Sequence, residues 1–151
     1  MDYEPKEKAD AVLAMFSLTH LNGAQMKKFL AKCKRKFLKQ DGILVIGDEF
    51  LPKHNEKSKT ARIKALAAHH NNVIAKAILD GKPELARLEL DAMISGFNKQ
   101  GDFKVTCPKF EERLNDAGFE FKKIKIYPSK KDFALSKTKG TGVYVYVAQL
   151  K

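Results

Sequence analysis

The hydrophobic pattern of the first fifty residues predicts two strands joined by a helix. Residues 11–16 form an unbroken apolar run, which is typical of a strand buried on both faces. Residues 24–40 place apolar side chains at helical spacing and basic side chains on the opposite side. Residues 43–46 open a second apolar run, which Pro52 closes. This order predicts a parallel β-α-β unit.

The middle of the chain is predicted to be helical. Residues 60–79 form one amphipathic stretch, which Gly81 ends, and Pro83 begins a further helix that runs to about residue 97. Residues 98–102 are predicted to be a loop and residues 103–106 a short extended segment. A small helix should begin at Pro108 and end at Gly118.

The last third alternates in a way that predicts two strands, at residues 119–127 and 143–150. The first breaks its parity near Lys122 and Lys123, which predicts a bulge there. The connection between the two strands has no helical period, so we expect an antiparallel pair joined by a long loop. The prediction is an α/β fold, a single domain over residues 1–151, with two parallel strands, two antiparallel strands and helices on both faces.

Composition restricts the class of protein. The chain is 44% hydrophobic and 31% charged, and no apolar run approaches the ~18 residues of a membrane span. The first ten residues lack the two halves of a signal peptide. Cys33 and Cys107 are too few for a disulfide framework, and Cys33 lies on the apolar side of its helix. We therefore expect reduced thiols, a core position for Cys33, no membrane association and a cytoplasmic location.

The charge is strongly basic, with 29 Lys and Arg against 18 Asp and Glu and a net charge of +11. Such a surplus favours polyanions. Only four of the 29 are Arg, the residue that recognises phosphates and bases in bidentate fashion, and Lys-rich surfaces also serve solubility. The simplest interpretation of the basic side of the helix at 24–40 is a solvated face, so nucleic acid stays an alternative partner.

Four segments together resemble a known family. They are ADAVLAMFSLTHL, FLKQDGILVIGDEFLP, CPKFEERLNDAGFEFKKIKIYP and GVYVYVAQLK, in this order. In this order and spacing they resemble the C-terminal half of a class I S-adenosylmethionine-dependent methyltransferase. The resemblance covers nearly the whole chain apart from residues 55–102, which fall where small-molecule methyltransferases place a lid over the acceptor.

The resemblance implies a partial Rossmann-like sheet. Its strands would be equivalent to 4-5-7-6 of the family order 3-2-1-4-5-7-6, with the last strand of the chain antiparallel. The glycine-rich loop and the ribose-binding carboxylate of the family are absent from this sequence. The strand at residues 10–16 should then lie at an edge. We expect that edge to be covered by a separate chain carrying the N-terminal half, by a second copy, or by sequence before Met1.

The resemblance also implies residues that bind S-adenosylmethionine, a cofactor that this chain would bind only with the missing half. The start of the chain resembles the tail of a motif that contacts adenine, and the end of the first strand would flank the methionine end of the cofactor. The implied cofactor-binding residues are Asp2, Tyr3, Met15, Phe16, Ser17 and Leu21.

Further residues are candidates for chemistry at the carboxyl ends of the strands. His20 matches a position that faces the methyl-transfer site and would act as a base, with a loop contact or helix cap as the alternative. Glu49 is the second catalytic candidate. Candidates for contact with the acceptor are Asp48, Phe50, His69 and His70. Helix capping is the alternative role for Asp48 and Glu49, and a surface or core position is the alternative for the two histidines. Because His69 and His70 are adjacent on a helix, they point about 100° apart, and we expect no metal site.

Three functions follow from these patterns. The first is half of a methyltransferase acting on a small-molecule acceptor, with the chain alone inactive. The second is a non-catalytic remnant or interaction subunit that pairs through its exposed edge strand. The third is an RNA-directed methyltransferase, which the charge of +11 would favour.

Overall fold

The computed structural model of the chain describes residues 5–127 and 141–151. These residues form four strands and four α-helices. The strands are β1 (Ala9–Met15), β2 (Leu38–Phe50), β3 (Phe119–Tyr127) and β4 (Gly142–Leu150). The helices are α1 (Gly23–Lys32), α2 (Lys59–Leu79), α3 (Pro83–Asn98) and α4 (Cys107–Asp116). A 3-10 turn at Leu18–His20 precedes α1, and a wider π-helical turn at Cys33–Phe37 follows it.

The strands form one mixed sheet in the order β1-β2-β4-β3. β1 and β2 are parallel, and β4 is antiparallel to both of its neighbours. The α/β class, the parallel pair and the antiparallel pair are therefore confirmed. β1 lies at one edge of the sheet, which is the position that the resemblance implied for it.

Local signals account for most of the helix boundaries. Asn22 caps α1 by accepting hydrogen bonds from two backbone N–H groups, and the Gln25 side chain completes the capping box. The Thr106 hydroxyl caps α4 by accepting a hydrogen bond from the Lys109 N–H, and Pro108 lies in the first turn of that helix. Gly81 and Gly118 follow α2 and α4 with positive φ, a conformation that glycine adopts at little cost. The predicted bounds of α2, α3 and α4 agree with the structure to within one or two residues.

The end of α1 differs from the prediction. The helical pattern extended to residue 40, whereas β2 already begins at Leu38, which is fully buried and pairs with Ala9. Pairing then resumes at Ala11 and Ile43, so the intervening residues of β2 form an irregular excursion. Gly42 lies in this excursion, close to the backbone of Ala9. A Cβ added to Gly42 would be 3.1 Å from the Ala9 carbonyl oxygen, so the lack of a side chain allows the close approach.

The predicted bulge in β3 is in the wrong place. Lys122 and Lys123 pair in regular register with β4, and the irregularity falls between Lys125 and Tyr127. The parity break has another cause. Lys123 and Lys125 occupy the same face as Phe119 and Phe121, and their amino groups lie over the Tyr144 ring at 5.7 and 5.9 Å.

The two faces of the sheet differ sharply in burial. On one, which we call the closed face, side chains of all four strands join a core in which Leu44, Ile46, Tyr146 and Ala148 have no exposed surface. The other, the open face, consists of the alternate residues, including Leu13, Met15, Val45, Val147 and Ile124. Leu13 is 69% exposed and Ile124 is 53% exposed.

The sequence predicted helices on both faces, and the two core helices, α1 and α4, both pack on the closed face. Met26 and Leu30 of α1 and Phe110 and Leu114 of α4 belong to the same buried cluster as the closed face. Both helices therefore cover one face, because each uses its apolar stripe against the same set of strand residues. Cys33 is also fully buried there, as predicted, and burial raises the pKa of its thiol to about 12.

The insertion between β2 and α4 folds as a hairpin of α2 and α3, which pack against each other. Leu66 is buried between them, where Gly96 of α3 leaves room for its side chain. The predicted apolar side of α2 is used only in part, because Ile78 is 62% exposed. The hairpin thus retains apolar side chains in contact with solvent.

Candidate functional site

The carboxyl ends of β1 and β2 lie side by side, at the place where open α/β sheets bind ligands. We call this end of the strands the sheet edge, as distinct from the edge strand β1. The chain leaves β1 through Phe16, whose backbone adopts a φ of 48° and whose N–H donates to the Gly47 carbonyl. A positive φ is rare for a bulky residue, and such strain concentrates at functional positions. The Phe16 side chain is 55% exposed, so this strained turn presents an aromatic ring at the sheet edge.

Asp48 holds this turn in place. Its buried carboxylate accepts hydrogen bonds from the backbone N–H groups of Leu18, Thr19 and Glu49 at 2.8, 3.1 and 2.8 Å. Burial raises the pKa of Asp48, and the three N–H donors only partly offset it. The geometry favours a positioning role for Asp48, because its oxygens are directed to the backbone of the chain itself.

Glu49, the next residue along β2, points to the other face of the sheet and joins a network of charges. Its carboxylate lies 3.3 Å from the Lys104 amino group, which in turn lies 2.6 Å from a carboxylate oxygen of Asp102. Burial alone would raise the pKa of Glu49, but His69 and Lys104 outweigh burial and lower it to about 2. Glu49 is therefore ionised throughout the physiological range.

His69 of α2 completes this network from the helical insertion. Its Nε2 lies 3.7 Å from Glu49 and is buried without a hydrogen-bond partner among the described residues. Its Nδ1 is 2.7 Å from the hydroxyl of Thr141, just before β4. We call Glu49, His69, Asp102, Lys104 and Thr141 the Glu49 cluster. A carboxylate beside an imidazole ring is an arrangement found in general bases, where the carboxylate orients the ring.

His70 serves a different element. It is fully buried, and its Nδ1 lies 3.0 Å from a carboxylate oxygen of Glu89 on α3. The rings of His69 and His70 meet edge to face, with centroids 4.9 Å apart. One histidine thus faces the sheet edge and the other fastens the α2–α3 hairpin, as the predicted divergence along the helix requires. This contact favours a structural role for His70.

The remaining candidates for chemistry separate into surface and core. His20 is exposed, and its Nδ1 lies 2.6 Å from the Gly101 carbonyl, so that nitrogen donates and Nε2 stays available. Phe50 is 2% exposed, and its ring packs against Phe110, Tyr144 and Tyr146 at centroid distances of 5.2 to 5.9 Å. Phe50 therefore contributes to the core of the closed face and not to the surface of the sheet edge.

The cofactor candidates lie around the turn after β1. Ser17 is exposed, Leu21 packs partly against the core, and Met15 lies on the open face over Gly47. A side chain on Gly47 would overlap with Met15, so the glycine allows this close approach. Asp2 and Tyr3 fall outside the described residues.

Three members of the Glu49 cluster were missed from the sequence. Asp102 was assigned to a loop, Lys104 to a short extended segment and Thr141 to the connection before β4. The sequence signal at Lys104 was a charged residue placed between the apolar residues Phe103 and Val105. In the structure this lysine is buried, with only 6% of its surface exposed. Burial of a lysine at that level requires paired carboxylates, and Asp102 and Glu49 raise its pKa although burial opposes them.

Two classes of feature were searched for across the described residues. In residues 5–127 and 141–151, no group of three or more His, Cys, Asp or Glu side chains is arranged to hold a metal ion. No helix within the same ranges is both long enough and apolar enough to cross a membrane.

Comparisons with known proteins give a structural likeness only. No family model and no curated protein matches the sequence. Among 34 matching chains of solved structures is one described as "A Pericyclic Reaction enzyme". It aligns with 98% of this chain at a TM-score of 0.54 and 16% identity. This chain spans 28% of the length of that protein. At this identity the likeness supports the mixed α/β fold and carries no activity.

Proposed function

We propose that this chain is the C-terminal part of a class I S-adenosylmethionine-dependent methyltransferase that acts on a small-molecule acceptor. The supporting observation is the strand order β1-β2-β4-β3 with β4 antiparallel, which is the order that the resemblance implies for strands 4-5-7-6. The candidate site also lies at the expected edge of the sheet.

The incomplete sheet supports a missing part. β1 is parallel to β2 on one side and, among the described residues, has no strand on the other. The open face carries exposed leucine, methionine and isoleucine side chains of a kind that domains normally cover. In this proposal the missing part extends the sheet beyond β1, covers the open face and supplies the glycine-rich cofactor loop. It is carried by another chain or by further sequence of the same protein.

The chain's own residues would position the acceptor and accept its proton. When bound, the cofactor would supply an electrophilic methyl group on a sulfonium, and residues of this chain would hold the acceptor in line with it. His69 and Glu49 form the base at the sheet edge, with Lys104 holding Glu49 ionised. His20 is the second base candidate, because its exposed Nε2 is directed away from its backbone partner. The α2–α3 hairpin carries His69 and would close over the acceptor.

A non-catalytic interaction subunit is the second candidate. It is favoured by the absence of the glycine-rich loop from this sequence and by the exposed edge strand, which would recruit a partner without chemistry. An RNA-directed methyltransferase is the third, supported by charge alone.

The test is binding of S-adenosylmethionine, measured by calorimetry on the isolated chain and on its complex with any polypeptide that co-purifies from its native cells. We expect no binding by the isolated chain and binding by a complex whose second chain contains a strand followed by an acidic Gly-x-Gly loop. Glu49→Gln should then lower methyl transfer in that complex without changing cofactor affinity.

One result would overturn the proposal, and another would overturn only the role given to the Glu49 cluster. One is a purified complex with the covered edge strand that does not bind S-adenosylmethionine, which would favour the interaction subunit. The other is a Glu49→Gln complex that transfers methyl groups at the wild-type rate, which would remove the Glu49 cluster from the reaction.

A further inference from the structure

A basic groove runs along the outer surface of the helices that cover the closed face. It lies between α1 and α4, has a volume of about 720 Å³ and is lined by four cationic side chains and a single acid. The cationic side chains are Lys27, Lys34, Arg35 and Arg113, and the acid is Asp116. This surface is separate from the Glu49 cluster, none of whose residues lines it.

Cations from both helices reach across the groove. The Lys34 amino group lies 2.8 Å from the position that a Cβ on Gly118 would occupy, so the side chain crosses to the end of α4. In the other direction, Arg113 of α4 places Nη2 3.4 Å from the corresponding position on Gly23 of α1. The charges of Lys34 and Arg113 therefore lie over the groove.

These charges lack carboxylate partners at close range. Within the described ranges, none of the four cations makes an ion pair or a hydrogen bond with a carboxylate. Arg113 is half-buried, and burial lowers the pKa of its guanidinium although Glu56 and Glu112 act in the opposite direction. A partly desolvated cation without a partner is unfavourable, and a bound anion would remove that penalty.

The basic surface continues beyond the groove. Residues 27–39 contain seven Lys and Arg, and residues 11–40 contain no Asp or Glu. The groove takes Lys27 from α1 and Lys34 and Arg35 from the π-helical turn that follows it. An extended line of positive charge matches a polyanion better than it matches a single phosphate.

We propose that this groove binds the sugar-phosphate backbone of a nucleic acid strand. Binding would depend on phosphates and show little base preference, because the groove is lined by flexible lysines and no aromatic side chain. A concave channel also fits a strand better than a flat membrane surface. The exposed large apolar side chains of the described residues lie on β1, the turn after it, the α2–α3 hairpin and β3, and none lies on α1 or α4.

The experiment measures fluorescence anisotropy of labelled oligouridylate and oligothymidylate of about 15 nucleotides between roughly 50 and 200 mM salt. The variant is Lys27→Gln/Lys34→Gln, both exposed, and the matched control is Lys82→Gln/Arg87→Gln on the hairpin, which removes the same charge. We expect the groove variant to bind about tenfold more weakly, with a salt slope smaller by about 1.4, since each single-strand phosphate contact contributes about 0.7.

Several outcomes would overturn this inference. One is an equal loss of oligonucleotide affinity in the groove variant and the control variant, which would mean attraction to net charge alone. Another is the absence of oligonucleotide binding by the wild type at the lowest salt concentration. Vesicles of phosphatidylcholine with phosphatidylserine provide the third arm, and tighter binding to them with the same variant dependence would assign the groove to a membrane. The RNA and DNA arms tell which strand is preferred. Because cofactor binding is not measured, the result is independent of the proposed methyltransferase function.

Discussion

The two faces of the sheet are built from the same strands and differ in what covers them. Leu44 and Leu13 belong to adjacent strands, yet Leu44 is fully buried on the closed face and Leu13 is 69% exposed on the open face. Successive residues of a strand point to opposite faces, and residues 11–16 and 43–46 are apolar at consecutive positions. Both faces therefore receive aliphatic side chains. Apolar character along a strand therefore indicates that a residue is meant to be covered, and the packed helices decide which face is covered within this chain.

The open face is unusual for a free surface. Exposed apolar side chains lie on β1 and on β3, and half-buried valines of β2 and β4 lie between them. The unpaired backbone groups of the edge strand β1 adjoin this surface. Contiguous apolar patches of this kind mark surfaces where another element packs. The closed face provides the stability of the isolated chain, and the open face provides the surface through which a missing part would associate.

The largest difference between the faces should appear in stability. Leu44→Ala removes a fully buried side chain and leaves a cavity, which should lower the free energy of unfolding by about 3 to 5 kcal/mol. Leu13→Ala removes the same atoms from an exposed position and should cost about 0.5 kcal/mol or less. Urea unfolding followed by circular dichroism measures both.

The pair is matched in chemistry, so the contrast depends on burial alone. Equal losses for the two variants would show that the open face is already covered in solution. In that case the loss at Leu13 should depend on protein concentration if a second copy is the cover.

The next effect concerns association. Leu13→Lys places a charge on the open face beside the unpaired edge and should weaken self-association, or association with a partner, about 100-fold. Sedimentation velocity over a range of concentrations measures it. Leu88→Lys on α3 is the comparison, because Leu88 is 65% exposed and lies on the insertion.

The two lysine variants distinguish two surfaces. If Leu88→Lys dissociates the complex and Leu13→Lys does not, the hairpin and not the sheet is the interface. A chain that stays monomeric at every concentration, with no partner in its native cells, would contradict the idea that the open face is covered.

At the carboxyl end of β2 the contrast becomes electrostatic, because Asp48 and Glu49 are neighbours that point to opposite faces. Glu49 has a pKa lowered from 4.5 to about 2, so its stabilising contribution is present above pH 4.5 and is lost as the pH falls toward 2. Glu49→Gln should therefore cost about 2 kcal/mol near neutral pH and progressively less under acid conditions. Unfolding curves across this range measure the difference.

Asp48 should show the opposite trend. Its pKa is raised by burial, so its contribution is greatest below its ordinary value of 3.8 and decreases as the pH rises through the folded value. Relative to Asp48→Asn, the wild type should gain stability on acidification. Parallel pH profiles for Asp48→Asn and Glu49→Gln would mean that the two carboxyls do not differ as the structure indicates.

Much of the fold was predictable because its signals are local. Apolar periodicity and capping residues located α2, α3 and α4, and alternation located β4. The end of α1 was missed because Leu38 fits the helical pattern as well as it fits the strand, and only its pairing with Ala9 decides between them. The assignment of α1 and α4 to one face also depends on contacts between distant residues, which a single sequence does not contain.

The site was predictable only in part, for the same reason. Glu49 and His69 could be named as candidates because each belongs to a recognisable element, at the end of a strand and within a helix. Asp102, Lys104 and Thr141 join them from irregular segments, so their proximity is a product of the tertiary fold. Phe50 was assigned to the acceptor from its position at the carboxyl end of β2, although alternation from Leu44 and Ile46 places it on the closed face.

The smallest expected effect tests how finely the closed face is built. The Tyr146 hydroxyl donates to Glu111 of α4 at 3.0 Å, and burial raises the pKa of that hydroxyl, so it remains a donor. Tyr146→Phe should lower the free energy of unfolding by about 1 kcal/mol, because the ring stays packed and only the polar contacts of the hydroxyl, to Glu111 and Cys107, are lost.

Tyr144→Phe is the matched control on the same strand and face. Its hydroxyl makes no hydrogen bond to the part of the chain that the structure describes, so the change should stay within about 0.5 kcal/mol of wild type. Equal values for the two variants would mean that Lys123, which lies 2.6 Å from the same Glu111 oxygen, already satisfies that carboxylate. The closed face would then be held by apolar packing alone, and a polar link from β4 to α4 would add nothing to it.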